Sequence, residues 1–467
     1  MAERGNVSDL KHHSEEVDVG GIPSKSHKPE IEWIEATELK DSIDCLEQIF
    51  LRNPLSPSDL LNFAMSDSKL KEAAERAYKS KFGKWLVKIN CEEKSVELFD
   101  NNNNKKAIRY SRDGIGDNYN KKTSRNEIKW RYCLTFLRHF GHLISKLEIF
   151  YWGMKTLVNL KFAAHLDHYV NEYCAESLLE ISLEECDKEA MKDLKKPFTK
   201  IKSVRFVCCH LGNELSDINK WFPNVSHLEF SKENRLANCY GVEVYLPYLR
   251  SFSVYLPFVE ETRLSKRNVV EILRANPQIE SLYIWGSFGV NYLQEISTFL
   301  QQLGSLKISA HTMFHNFGRG TAHFKNVKKF EFRYYNKCTR IPLSFDSLEE
   351  YKHNPDLGSS GIDEVFDFIW QQKSLTKFTY NDKCEMKGVL FRLALPSLIE
   401  IDIPLGDFPI EEVVAFINQC RLLKKLTLTL ESGFKSCNDW RKHLGTEWRK
   451  TNEREGWGRG KSITLER

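Results

Sequence analysis

The sequence predicts an α/β protein in which a curved solenoid, with parallel strands on its concave face, follows a small all-α module of three helices. A short apolar pattern recurs about every two dozen residues over most of the chain, which predicts stacked repeat units. The region before the pattern has apolar residues at helical spacing. The length, 467 residues, suits an array that grows by adding units, because one compact core stops growing well below that size.

The composition indicates a folded chain without a strong preference for polyanions. Hydrophobic residues make up 41% and aromatic residues 12%, which is enough for a buried core. Sixty-eight Lys and Arg against 64 Asp and Glu leave a net charge of +4, so we expect no nucleic-acid partner. No stretch of 18 apolar residues free of charge is present, so we expect no membrane partner either.

Residues 1–32 are polar and predict a disordered leader, because they lack the apolar area that offsets ordering entropy. They contain no apolar segment of the signal-peptide kind, and we therefore expect a cytoplasmic or nuclear location. The twelve cysteines include no CxxC pair, which favours free thiols packed as small hydrophobic side chains.

Residues 33–84 predict the three helices. The first has Ile43 to Phe50 at helical spacing and is interrupted by Pro54. The second begins at Ser56-Pro57-Ser58-Asp59, which supplies a capping hydroxyl, a first-turn proline and an acid near the positive helix end. The third has an apolar stripe from Leu70 to Phe82 and stops at Gly83.

Residues 85–142 predict a junction or N-terminal cap for the repeats. We expect short strands at 85–89 and 96–99, exposed loops at 101–106 and 113–117, and an amphipathic helix at 126–141.

Residues 143–432 contain about 12 copies of a unit with two apolar strand anchors two residues apart. The anchor pairs are Leu147/Ile149, Ile181/Leu183, Val204/Phe206, Leu228/Phe230, Phe252/Val254, Leu282/Ile284, Leu306/Ile308, Phe330/Phe332, Phe378/Tyr380, Ile401/Ile403 and Leu426/Leu428, with a weaker copy at Tyr351/His353. From Ile181 to Leu426 the spacing averages 24.5 residues. Residues 433–467 follow as a C-terminal cap or tail.

Two further features complete each unit. An apolar residue precedes each strand, as at Leu178, Ile201, Val225, Leu249, Ile279, Leu303, Val327, Leu348, Leu375, Leu398 and Leu423. Segments at 269–273, 292–300, 365–370 and 413–417 have helical spacing, so the unit is strand, turn and helix. Because one unit cannot bury its own apolar face, stacked neighbours are expected to share one core.

Residues 147–430 resemble leucine-rich repeats, over about three fifths of the chain. The period is typical of that family, whereas the Asn or Cys that follows its strands is matched here only by Cys186 and Cys209. The resemblance implies a target-binding concave face. Every second strand residue points away from the core, and the candidates are Arg205, Glu229, Tyr255, Tyr283, Trp285, Lys307 and Arg333. Tyr255, Tyr283 and Trp285 are expected side by side, as interface residues or as a simple cover of the sheet.

Residues 39–83 resemble an F-box. Three segments carry the resemblance: Cys45-Leu46-Glu47-Gln48-Ile49-Phe50, the 55–61 segment with Asp59-Leu60, and the 69–82 helix. Leu39-Lys40 stands where the family has Leu-Pro. The resemblance implies binding to a Skp-type adaptor and, through it, to a cullin scaffold. The residues implied in the contact are Leu46, Ile49, Phe50, Leu55, Leu60, Leu61 and Ala64, although each of them could equally form the module's own core.

The two resemblances together imply a non-catalytic substrate-recognition subunit of a cullin-type ubiquitin ligase, whose target protein the sequence does not name. The alternative is a leucine-rich-repeat scaffold without a ubiquitin role, in which residues 39–83 only cap the repeat core. A hydrolase in the concavity is a third class. No catalytic motif supports it: Gly456 to Ser462 fails as a phosphate loop because Glu455 stands where the first glycine is required. We expect no metal and no cofactor.

Overall fold

A computed structural model describes residues 43–108, 125–151, 157–186, 196–211, 217–231, 235–236, 244–256, 266–310, 320–334, 341–355, 362–381, 394–405, 410–430, 447–455 and 461–467. Within these ranges the chain is α/β, with one long and mostly parallel sheet. The predicted leader at 1–32 and the predicted loop at 113–117 lie outside the described residues. None of the described helices combines the length and the apolar character that a membrane crossing requires.

The helices of the described ranges are α1 Ile43–Arg52, α2 Pro57–Ser66, α3 Ser68–Phe82, α4 Arg125–Phe140, α5 Leu157–Tyr173, α6 Ile218–Trp221, α7 Lys266–Ala275, α8 Val290–Phe299, α9 Ile362–Trp370 and α10 Ile410–Gln419. The strands are β1 Leu86–Asn90, β2 Ser95–Phe99, β3 Lys105–Ile108, β4 Lys146–Phe150, β5 Glu180–Glu184, β6 Ser203–Val207, β7 His210–Leu211, β8 His227–Ser231, β9 Arg235–Leu236, β10 Ser251–Leu256, β11 Ser281–Gly286, β12 Ser305–Ala310, β13 Ala322–Phe324, β14 Lys329–Tyr334, β15 Leu343–Phe345, β16 Glu350–Pro355, β17 Lys377–Tyr380, β18 Glu400–Leu405, β19 Lys425–Leu430, β20 Arg449–Glu455 and β21 Lys461–Glu466.

The main sheet has 17 strands. Their order in space is β3-β2-β1-β4-β5-β6-β8-β10-β11-β12-β14-β16-β17-β18-β19-β21-β20. All pairings from β1 to β19 are parallel, and an antiparallel hairpin lies at each end. The pairs β7–β9 and β13–β15 form two small separate sheets.

The strand register confirms the anchor positions that the sequence predicts. Ile181 pairs with Leu147 and Val204, and the row continues strand by strand to Leu426. Even the weaker copy is in register, since Tyr351 pairs with Phe330. The residues of the upstream apolar row are also buried, from Leu178 to Leu423, so three side chains per unit enter the shared core.

A backbone contact repeats at the boundaries between units. Lys328 O accepts the N–H groups of both Glu349 and Glu350, each at 2.8 Å, and the same double acceptance recurs at described boundaries from Ser145 O to Ile399 O. Because backbone groups make this contact, it tolerates the divergent side chains of the turns.

The four helical segments predicted between strands are confirmed as α7, α8, α9 and α10. The three N-terminal helices are confirmed as well, as α1, α2 and α3. Ser56 caps α2 in a capping box: its hydroxyl accepts from Asp59 N at 3.2 Å, while Asp59 Oδ2 accepts from Ser56 N at 2.8 Å. The predicted helix at 126–141 is α4.

Two segments differ from the sequence prediction. Lys105 and Lys106, expected in a loop, begin strand β3, because the turn at residues 100–104 returns the chain antiparallel to β2. Strand β1, expected as a short strand of the junction or N-terminal cap, has a pairing that was not predicted: it is parallel to β4, so the repeat row extends to Val87. The apolar alternation of β1 supplies the same buried pair, Val87 and Ile89, as a repeat strand does.

The helical module and the sheet share a core. The Tyr78 ring on α3 stacks on Phe140 of α4 with centroids 4.4 Å apart, and both side chains are fully buried. Ser145 Oγ, just before β4, donates to Gly83 O at 2.8 Å. At the other end Leu465 of β21 packs into the same core.

The eight described cysteines are free thiols, and most of them are buried, as predicted for thiols packed as small hydrophobic side chains.

Candidate functional site

One face of the parallel sheet is buried in the core and the other carries side chains that reach solvent. In β11, Leu282 and Ile284 are fully buried, whereas Ser281, Tyr283 and Trp285 are partly exposed. The same alternation places every second residue of the neighbouring strands on one surface, because side chains of a strand point to opposite faces in turn. We call this surface the open face. It is made by the first, third and fifth residues, where their side chains are described, of the main-sheet strands from β4 to β19.

All seven residues predicted for target binding lie on the open face, and none of them is buried. Their positions fall into two rows that cross the strands. The middle row holds Arg205, Glu229, Tyr283 and Lys307, and the row formed by the fifth residues holds Tyr255, Trp285 and Arg333. The aromatic rings are side by side, as the repeat period predicts.

The three rings form one contact cluster, which we call the aromatic cluster (Tyr255, Tyr283 and Trp285). Tyr283 and Trp285 stack with centroids 4.8 Å apart, and Tyr255 lies 5.7 Å from Trp285. Lys307 Nζ lies 4.7 Å from the Tyr283 ring centroid, within cation–π range. The cluster therefore offers aromatic surface beside a positive charge.

Two buried serines lie next to the aromatic cluster on the neighbouring strands. Ser253 pairs with Tyr283 across β10 and β11, and Ser309 pairs with Trp285 across β11 and β12. Both serines are buried, with 6% and 2% of their surface exposed. Tyr283 Oη lies 3.3 Å from Ser309 Oγ, so the cluster packs against this serine.

Arg205 and Glu229 form an ion pair at 3.1 Å on the β6 and β8 side of the aromatic cluster. Burial acts to raise the pKa of the Glu229 carboxyl, but the hydrogen bond from His227 and the charge of Arg205 outweigh it. The pKa of Glu229 is therefore lowered, and the carboxylate is ionised at neutral pH.

On the other side of the aromatic cluster, the open face contains a shallow depression of about 500 Å³ that spans β11 to β18. Its charged lining residues are Lys307, Lys329, Glu331, Glu350, Lys352, Lys377, Glu400 and Asp402. Positive and negative charges are equal in number there. Only Lys307 was singled out from the sequence, although the same alternation applied to β14, β16, β17 and β18 yields the rest.

The first residues of these strands form a row of alternating charges. Lys329 pairs with Glu350 at 3.0 Å, and Glu400 pairs with Lys377 at 3.3 Å and with Lys425 at 2.9 Å. These ion pairs lower the pKa of Glu400 against the opposing effect of its burial. Exposed pairs of this kind contribute little to the free energy of folding. The main effect of the row is to set the charge pattern of the open face.

The N-terminal helices place the predicted adaptor-binding residues in two groups. Phe50, Leu60, Leu61 and Ala64 are buried, with at most 4% of their surface exposed, so for these four the core alternative holds. Leu46 and Leu55 are half-buried against the core, whereas Ile49 is 42% exposed. Met65, which the sequence analysis did not single out, is 40% exposed on α2.

Comparison with known proteins gives no assignment: no family model matches the chain, and no curated protein matches it. Within the described ranges, no group of three or more His, Cys, Asp and Glu side chains is close enough to bind a metal ion. The geometry of the open face and of the N-terminal helices is therefore the basis for a functional proposal.

Proposed function

We propose that this protein is a non-catalytic recognition subunit: a leucine-rich-repeat solenoid that binds a target protein on its open face, joined to an F-box-like module that binds a Skp-type adaptor. The observation that carries the proposal is the aromatic cluster, which three side chains from two adjacent strands form at the centre of a long parallel sheet. Aromatic residues grouped in this way are typical of interface hot spots.

In this proposal the chain contributes geometry to a cullin-type ubiquitin ligase. The adaptor holds the N-terminal helices while the open face holds the target. A lysine of the target then meets the ubiquitin thioester on a separate conjugating enzyme at high effective concentration. Bond making belongs to that enzyme.

The adaptor surface of the proposal is centred on Ile49, which lies on α1 with the half-buried Leu46 one turn before it. Exposed aliphatic side chains on a short helix suit a helix-in-groove contact, in which a few apolar anchors carry the affinity.

A second candidate is a repeat scaffold in which the N-terminal helices serve only as a cap. Two contacts favour it: Tyr78 of α3 stacks on Phe140 of α4, and Ser145 Oγ, just before β4, donates to Gly83 O, just after α3. The two candidates share the open face and differ in the adaptor.

One co-purification experiment tests both surfaces. We expect Ile49→Glu to abolish capture of a Skp-type adaptor, since a charge replaces an exposed apolar anchor, while Leu422→Glu, a matched change at a 55% exposed leucine, leaves capture unchanged. We expect Tyr283→Ala with Trp285→Ala to lose the co-purifying target while keeping the adaptor. The matched control is Tyr245→Ala with Tyr248→Ala, at two tyrosines that are each 56% exposed.

The outcomes separate the candidates. If the wild type captures a target but no adaptor, the ubiquitin role is wrong and the scaffold remains. If the aromatic double variant keeps the target, the open face is not the binding surface.

A further inference from the structure

Within the described ranges, the middle row of the depression contains one lysine and one aspartate that make no contact ion pair. The row runs Lys307, Glu331, Lys352, Thr379 and Asp402 on successive strands. Lys307 Nζ pairs with Glu331 at 3.1 Å. Among the described residues, Lys352 makes no ion pair, and Asp402 makes neither an ion pair nor a hydrogen bond.

The rows on both sides are satisfied internally, which sets these two groups apart. On one side are the Lys and Glu pairs formed by the first residues of the strands. On the other side Asn354 Nδ2 donates to Glu331 Oε1 at 2.9 Å, and Asn381 Nδ2 donates to Asn354 Oδ1 at 2.5 Å. The available charges of the depression are thus concentrated on Lys352 and Asp402.

The surroundings of Asp402 favour a positive group arriving from a partner. Burial and the nearby Glu400 carboxylate raise the pKa of Asp402, while Lys377, Lys425 and Lys352 act in the opposite direction without contacting it. Among the described residues no hydrogen bond replaces the hydration that this half-buried carboxylate loses, and a bound cation in contact with it would supply that stabilisation.

Strand spacing converts these positions into distances. Neighbouring strands lie about 4.8 Å apart, so Asp402, two strands beyond Lys352, is about 10 Å from it across the sheet. Tyr283 of the aromatic cluster is three strands before Lys352, or about 14 Å away. An extended peptide rises about 3.3 Å per residue and its side chains alternate between two faces, so only even spacings keep them all toward the sheet. About four residues cover the longer gap, and about two or four residues cover the shorter one, where a long basic side chain makes up the difference.

We propose that the open face binds an extended peptide segment that carries an aromatic or large aliphatic residue on the aromatic cluster, an acidic residue about four positions along, against Lys352, and a basic residue about two or four positions beyond that, against Asp402. This inference rests on the open face as the target-binding surface of the proposed function. It deepens that function by naming the chemistry of the target segment.

The charge pattern disfavours a purely anionic partner. Such a partner gains at Lys352 but meets Asp402 and Glu331 in the same row, whereas a segment with both charges matches both ends. Placing like charges against wrong partners is a common source of specificity.

The test is a peptide-display selection on the immobilised full-length chain. We expect enriched sequences to share the apolar, acidic and basic positions at these spacings. Lys352→Glu should then weaken a representative enriched peptide by about tenfold or more, and changing the peptide's acidic residue to Lys should restore binding. Lys373→Glu, an exposed lysine outside the open face, is the matched control and should leave binding unchanged.

The thermal midpoint of each variant shows whether it is folded, and Lys352→Met provides a second variant that removes the charge without reversing it. The proposal is overturned if no peptide is enriched, if the enriched sequences lack the spaced charges, or if Lys352→Glu and Lys352→Met leave the preference for an acidic residue unchanged. Any of these three results removes this inference. The proposed function still stands if the aromatic double variant loses the co-purifying target.

Discussion

At the scale of single residues, His353 occupies a position that apolar side chains fill in the other units. It pairs with Phe332 and Tyr380 in the neighbouring strands, and only 1% of its surface is exposed. Its ring is parallel to Tyr380 with centroids 5.4 Å apart, and Tyr351 Oη lies 2.6 Å from Nδ1. A neutral imidazole thus takes the place of an aliphatic side chain.

Burial lowers the pKa of His353 to about 3, far below the ordinary 6.5. Between these values the unfolded chain binds a proton that the folded chain does not, so stability is lost as the pH falls from 6.5 towards 3. We expect His353→Phe to reduce this loss by about 1 kcal/mol per pH unit just below 6.5. Denaturant unfolding at pH 7, 6 and 5 measures it.

The control for this prediction is His323→Phe, since His323 is exposed. That variant should keep the pH slope of the wild type. The prediction fails if His353→Phe and His323→Phe show the same slope, whatever their stability at pH 7. The Tyr351 hydroxyl loses its hydrogen-bond partner in His353→Phe, so a lower stability at neutral pH is expected and does not affect the comparison.

The sequence was sufficient to predict on which face of the sheet a strand residue lies, because this follows from period-two alternation alone. Arg205, Tyr283 and Trp285 lie on the open face because period-two patterning needs no knowledge of contacts. Lys352 and Asp402 obey the same rule. What distinguishes them is that neither makes an ion pair with a described residue, and this depends on side-chain geometry across strands whose paired residues lie 21 to 27 positions apart in the chain. For Phe50 and Leu60, helical spacing alone could not separate a surface from a core.

At the scale of elements, α2 shows how local sequence fixes a boundary. Ser56 and Asp59 satisfy each other's backbone N–H groups at the start of the helix, and Pro57 occupies its first position. We expect Ser56→Ala to lower the free energy of unfolding by about 1 kcal/mol, because the Asp59 N–H loses the Ser56 hydroxyl as its acceptor. Thermal or denaturant unfolding measures the change.

The matched control is Ser80→Ala on the exposed side of α3. Alanine favours a helix interior, so this variant should be as stable as the wild type or slightly more stable. Equal destabilisation by the two variants would show that the capping box contributes nothing specific.

Element types were predictable where their signals are local, as with the capping box of α2 or the helical spacing of α7 to α10. The strand β3 was missed for a physical reason. Lys105 and Lys106 have neither the apolar alternation nor the β-branched character of a strand, and their conformation comes from pairing with β2. The strand β1 was predicted, but its parallel partner was not, since β4 lies beyond α4 in the sequence.

At the scale of the whole molecule, the sheet is closed at both ends by antiparallel hairpins. The β20–β21 hairpin covers β19, and Leu465 and Trp448 are buried there, each with 5% exposed. Covering a terminal strand blocks its unpaired N–H and C=O groups from pairing with another chain.

We expect Leu465→Asp to expose the edge of β19 and cause concentration-dependent self-association, because a buried carboxylate costs on the order of 3 kcal/mol or more and loosens the hairpin. Light scattering after size-exclusion chromatography measures it. Glu466→Gln, at the exposed neighbouring position, should remain as monodisperse as the wild type. A Leu465→Asp variant that stays monodisperse over a wide concentration range would contradict this role of the hairpin.

At the described boundaries between units, one carbonyl oxygen accepts two backbone N–H groups, and this contact does not depend on which side chains are present. A strand, its turn and its helix can therefore be copied or lost as a block, and the flanking blocks can rejoin across the gap with the same geometry. The reach of the molecule is then set by copy number, so lengthening or shortening it by gene duplication would alter the span available to a partner while leaving both closing hairpins intact.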